Sequence, residues 1–164
     1  MSERVVFEDI AIGQEVGPMQ KGPLTTAHLM RWSAATENWH KIHYDLPFSQ
    51  QHDGLPGLLI NGSLKQQFVA QFLKDWAGRD GWLWKLRFQF RAMNLAGETL
   101  FVWARVRQVH RLEKYGLVDL DIGIRNAEGL ESTPGSAVVA LPLRDGPAVP
   151  YPFVAPAELA PRPA

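Results

Sequence analysis

The 164-residue chain has no cysteine. Disulfide bridges, thiolate catalysis and cysteine-ligated zinc are therefore excluded. It also lacks any window approaching the ~20 apolar residues of a membrane-spanning helix. The opening, MSERVVFEDI, holds one basic residue and no apolar run long enough for a secretion signal, so a cytoplasmic protein is expected. An excess of either charge sign is missing too: Lys+Arg and Asp+Glu each number 17. No overall field recruits nucleic acid or anionic lipid, and no nucleic-acid recognition motif occurs. A formally neutral chain has little colloidal repulsion, which is compatible with self-association.

What is present is an ordinary globular balance, 46% hydrophobic and 21% charged, enough for one core without staples. Residues 1–146 are expected to form a single domain, and 147–164 a Pro/Ala-rich tail, irregular or held against a partner. The stretch from Val5 to Val16 reads as a short strand ending in a turn at Ile12-Gly13-Gln14. Pro18, Gly22 and Pro23 keep the next segment extended or looped. Thr25 and Thr26 are candidate N-caps for a helix through Ala35, with Leu29, Trp32 and Ser33 on its buried face and His28 as a surface or capping residue. A second helix, from Asn61 to Trp76, buries Leu64, Phe68 and Phe72, joined by Val69, Leu73 and Trp76. Lys65, Gln66, Gln67 and Lys74 are its polar positions, and Gly78 stops it.

The remainder alternates with period two. In 82–91, Trp82, Trp84, Leu86, Phe88 and Phe90 form a face expected to be buried, opposite a largely basic one. In 99–109, Leu100, Val102, Ala104 and Val106 face away from Phe101, Trp103, Arg105 and Arg107. Leu117–Arg125 and Ser136–Leu143 complete an expected four-strand antiparallel meander. Helices followed by strands indicate an α+β class, and a long antiparallel sheet wrapped around one central α-helix is the hot-dog arrangement. Arg87, Arg91, Arg105 and Arg107 read as a basic strip on adjacent strands, either a solvated face or a grip for phosphates.

Between the two helices lies an unusual run, WSAATENWHKIHYD over 32–45, with two histidines, two carboxylates, an asparagine and a tyrosine beside apolar surface. Titratable groups placed so are costly unless they are solvated or used. The connection 36–57 is long for a compact domain, and such connections more often carry function. Taken alone, His43 reads as a polar loop residue bonded to backbone. As the side chain best suited to moving protons near neutrality, it is also a candidate acid/base, with the Asn38 amide five residues upstream able to hold a shared water. His52 and His110 lack partners at metal-binding spacing, so no metal site is expected.

The run A-T-E-N-W-H-K-I-H-Y-D, followed by G-L-P-G-L-L-I-N-G-S-L, resembles the MaoC-like hydratase/dehydratase family. FEDIAIGQEV, LRFQFRAMNLAGETL and TPGSAVVALPL extend the resemblance to about Arg144. It is most similar to the branch holding 3-hydroxyacyl-thioester dehydratases and mesaconyl-CoA hydratases. The resemblance implies a lyase of acyl-CoA and fatty acid metabolism. Water would add to, or leave from, an enoyl thioester with R stereochemistry, without a cofactor beyond the CoA of the substrate. By position, His43 matches the catalytic histidine and Asn38 the catalytic aspartate. Gly62 matches the glycine whose backbone N–H forms an oxyanion hole. His40, Tyr44, Gly57, Asn61 and Ser63 would line the substrate site.

The chain departs from the pattern at Asn38, which carries no charge, at His40 in place of asparagine, at Lys41 in place of proline, and at Asn61 in place of histidine. Glu37 and Asp45 are nearby carboxylates that could replace the missing acid. The resemblance also implies a partner, a homodimer or a heterodimer with a second hot-dog chain. Two alternatives stay open: a non-catalytic hot-dog subunit supporting a paralogue, and a hot-dog thioesterase. Against the latter, residues 58–74 hold no Asp or Glu.

Overall fold

The computed structural model describes residues 4–156. Two helices, α1 (Thr26–Ala35) and α2 (Gly62–Ala77), accompany five strands: β1 (Glu15–Lys21), β2 (Trp82–Phe88), β3 (Leu100–Arg111), β4 (Tyr115–Asn126) and β5 (Gly135–Pro142). The strands form one antiparallel sheet in the order β1-β3-β4-β5-β2.

Helix α2 supplies the core. Leu64, Phe68, Val69, Phe72, Leu73 and Ala77 are buried, at the spacing that gives a helix one apolar stripe. They meet Leu100, Val102, Ala104 and Val106 of β3, Leu120, Ile122 and Ile124 of β4, and Val139 of β5. Each of the Leu, Ile, Val and Phe side chains contributes about 1.5–3 kcal/mol on burial, so this contact dominates the stability of the fold. Helix α1 starts where expected: the His28 ring accepts the Thr25 N–H at 3.1 Å, so His28 is a capping residue. No helix among the described residues is long and apolar enough to cross a membrane.

Three expectations about the chain path change. The first strand follows the Ile12–Gly13 turn rather than preceding it, because Phe7–Asp9 forms a 3₁₀ turn. Strand β1 then tolerates Pro18 because it is an edge strand with a bulge between Val16 and Met19. The strands are not a four-strand meander: β2 crosses to the far edge and pairs with β5, so only β3-β4-β5 run in sequence. Arg87 and Arg105 consequently do not lie on adjacent strands, although Arg87, Arg91 and Arg107 border one open hollow.

The alternation of β2 is broken by a bulge between Leu83 and Lys85. Leu83 and Leu86 turn toward the core, whereas Trp82 and Phe90 are exposed. Trp84 joins an outer cluster with Tyr115 and Phe153, onto which the C-terminal segment folds. The rest of the expected tail, 157–164, lies outside the described residues.

Candidate functional site

The connection between α1 and α2 is structured. It contains a 3₁₀ turn over Lys41–His43 and a single π turn over Phe48–His52. Glu37, at φ 53°, takes the left-handed conformation that ends α1. Asn38 then returns its N–H to the Ser33 carbonyl at 2.9 Å. Its side-chain oxygen accepts the His40 N–H at 3.3 Å, and His40 Nδ1 in turn faces the Ile42 N–H at 3.5 Å. Asparagine suits this place because its short amide can bond to backbone two residues on. Tyr44 spends its hydroxyl on the Trp39 carbonyl at 2.7 Å, clasping the loop. Asp45 accepts the Phe48 N–H at 3.0 Å, while Glu37 is exposed.

This loop delivers His43 into the protein, 8% exposed. Its Nδ1 lies 2.9 Å from the Leu59 carbonyl oxygen, and the Leu59 N–H donates to the Ile42 carbonyl at 3.0 Å. A carbonyl can only accept, so Nδ1 carries the proton and Nε2 of the neutral ring is a bare acceptor. Burial lowers the pKa of His43 below its ordinary value; the Leu59 carbonyl opposes that, and His40 adds to it. The two histidine rings are 6.3 Å apart.

Leu58–Ile60 is held on its other side by Asn94 and Ala96, and it leads into α2 through Asn61. Asn61 is fully buried at the N-cap, yet its side chain makes no capping bond to the helix. Its Nδ2 donates instead to Ser33 Oγ at 3.2 Å. Ser63 Oγ accepts the Trp32 indole N–H at 2.8 Å, so α1 grips the start of α2 at two points. The first N–H groups of α2, Gly62 and Ser63, thus have neither an intrahelical nor an Asn61 acceptor, and the helix dipole favours negative charge beside them. A side chain at Gly62 would come within 2.9 Å of the Phe90 ring. Gly57 stands farther along, its carbonyl accepting from Ser49 Oγ at 2.7 Å.

His43, Asn38 and the Asn61–Ser63 helix start are therefore brought together through Leu59 and Ser33. His40 and Tyr44 serve the loop by the bonds above, and His40 is exposed. Two participants escape the sequence. The Leu59 contribution is a backbone carbonyl, which no side-chain pattern reports. Lys65, expected on the polar face, is buried at 3% exposure. It reaches Asn94 Oδ1 at 3.1 Å and the Ala92 carbonyl at 3.3 Å, and lies over the Phe90 ring. Burial pushes its pKa down to about 8 against the pull of Glu98. Among the described residues, no group of three or more His, Asp and Glu could hold a metal ion.

Comparison with known proteins gives this geometry a family. The model of hydroxyacyl-thioester dehydratase type 2 matches residues 13–98, just over half of the chain and the whole of the region above. Mesaconyl-C(4)-CoA hydratase of Chloroflexus aurantiacus is 39% identical over 51 residues, 31% of this chain and 18% of that protein's length. Among solved structures, the (R)-hydratase of A. caviae involved in PHA biosynthesis superposes with a TM-score of 0.71 at 20% identity, covering 82% of this chain and 99% of that one. A Mycobacterium tuberculosis protein with a double hotdog fold gives 0.71 at 17%, covering 98% of this chain and 52% of that one. The sheet around α2 is thus a hot-dog fold, and the chain belongs to the hydroxyacyl-thioester dehydratase type 2 family.

Proposed function

We propose that the protein is a hydratase/dehydratase interconverting an enoyl thioester and water with a 3-hydroxyacyl thioester, carried on CoA and of R configuration. The observation that carries this reading is the His43 Nδ1–Leu59 contact, which leaves Nε2 free as a base in a family of thioester dehydratases.

In the hydration direction, Nε2 takes a proton from water as the water oxygen bonds to C3. The C2–C3 π pair moves onto the thioester as an enolate. The enolate then collapses, and C2 receives the proton back from His43. The Gly62 N–H, at an uncapped helix start, is a fixed donor for the enolate oxygen. Asn38 helps to orient the water, its Nδ2 donating to the water oxygen while its Oδ1 accepts the His40 N–H. His40, Tyr44, Gly57, Asn61 and Ser63 border the acyl group in this reading, and Arg87, Arg91 and Arg107 are candidates for the CoA phosphates.

The active unit is proposed to be a pair of hot-dog chains, either two copies or this chain with a paralogue. The test is incubation with crotonyl-CoA and with longer and branched enoyl-CoAs, following loss of enoyl absorbance, alongside the native mass of the purified chain. Turnover with a 3-hydroxyacyl product supports the assignment. Free-thiol release without hydration would replace it with a thioesterase.

A further inference from the structure

Among the described residues, Asn61 Oδ1 is a buried polar atom without a hydrogen-bond partner. A carboxamide oxygen buried unpaired gives up its hydration for nothing, so its retention at the start of α2 asks for a donor. Asparagine is also among the best N-caps, and at this N-cap it leaves the helix uncapped in order to turn toward Ser33. Ser33 fixes the location of that oxygen. Its Oγ holds the Asn61 amide nitrogen, while its carbonyl holds the Asn38 N–H. Two residues upstream of Asn61, the Leu59 carbonyl holds His43.

Resting on the hydratase reading above, we infer that Asn61 Oδ1 accepts the hydrogen bond of the reacting hydroxyl, from the attacking water in one direction and from the substrate 3-hydroxyl in the other. The thioester oxygen is an acceptor and cannot satisfy this atom. Water has two hydrogens; His43 Nε2 takes one, and the second needs an acceptor. Asn38 Oδ1 already accepts the His40 N–H, whereas Asn61 Oδ1 is wholly free. Asn61 is thus a catalytic residue that aims the water, and Ser33 is the positioning residue that holds its amide.

The experiment compares wild type, Asn61→Leu, Asn61→Asp and Ser33→Ala by crotonyl-CoA hydration kinetics, with far-UV circular dichroism as the check on folding. Crotonyl-CoA carries no hydroxyl, so Asn61→Leu is expected to lower kcat by about 10–100-fold and leave KM within about twofold. Asn61→Asp retains an acceptor oxygen and is expected to lose less than the Leu variant. Ser33→Ala should show a smaller fall in kcat, again without a change in KM. It carries the test together with Asn61→Asp if Asn61→Leu does not fold. A raised KM with Asn61→Asp worse than Asn61→Leu would mean that the amide nitrogen serves the thioester oxygen, and would overturn the inference. So would an Asn61→Leu enzyme with wild-type kcat. A wild-type protein that hydrates no enoyl-CoA removes the hydratase reading itself, a result distinct from the other two.

Discussion

The imidazole Nδ1 of His43 lies 2.9 Å from the carbonyl oxygen of Leu59, and this bond decides which ring nitrogen is available for chemistry. It also joins the loop after α1 to the segment that starts α2, so the proposed base and the proposed oxyanion donor are tied to one short piece of backbone.

The pH profile should reflect a histidine held neutral. Burial lowers the His43 pKa, so kcat/KM for hydration is expected to rise with pH to a plateau, its midpoint below 6.5. Folding stability should follow the same sign. Below pH 6.5 the unfolded chain binds the proton first, so this group's contribution is full above 6.5 and is lost as pH falls toward the folded value. His40→Ala removes a charge that disfavours protonated His43, and should move the kinetic midpoint upward. A midpoint unmoved by His40→Ala would show that the pair is not coupled.

Asn38 offers a milder test. Replacing it with aspartate restores the carboxylate of the family pattern and keeps an oxygen for the His40 N–H. Asn38→Asp should hydrate crotonyl-CoA at the wild-type rate or faster. A loss of tenfold or more would mean that the neutral amide is required.

Lys65 should leave its mark at alkaline pH. Its folded pKa is about 8 against an ordinary 10.5, so between these values the unfolded state binds more protons and stability rises with pH. Wild type is therefore expected to gain on Lys65→Met between pH 8 and 10.5, by up to about 1.4 kcal/mol per pH unit. Urea midpoints of both proteins at the two pH values measure it. Parallel shifts would contradict a buried ammonium.

Two glycines should respond differently to alanine. A methyl at Gly116 would lie 1.9 Å from the Phe7 ring, which is itself buried, so Gly116→Ala should cost about 1–3 kcal/mol or more. At Gly62 the obstacle is Phe90, about half exposed and able to swing away. Gly62→Ala keeps the backbone N–H but sets a methyl beside the proposed thioester, and should thus spare the urea midpoint while reducing hydration. The two variants together separate packing from function.

These residues also show how far the sequence can be read. The apolar stripe of α2, its stop at Gly78, and the inward set Leu100, Val102, Ala104 and Val106 follow from period alone, because burial on one face dictates the spacing. The β2 face did not, since one bulge between Leu83 and Lys85 reverses inside and outside without altering the residue pattern. Sheet order was equally hidden: alternation says that β2 is a strand, but pairing with β5 instead of β3 is a tertiary choice. At the site, the residue types of Asn38, His43 and Gly62 were visible. The carbonyl that fixes the histidine tautomer and the unpaired oxygen of Asn61 were not, because both are matters of direction. Lys65 shows the same blindness: a lysine at a helical polar position is buried once Asn94 and a backbone carbonyl receive it.

The most direct trial of the account is the rate of crotonyl-CoA hydration by wild-type protein and by His43→Ala, with urea midpoints measured on both. Wild type should convert the enoyl thioester to the 3-hydroxyacyl product. His43→Ala should be slower by about 10²–10⁴-fold while remaining folded. A folded His43→Ala protein that hydrates crotonyl-CoA at the wild-type rate would contradict the central role given to this imidazole.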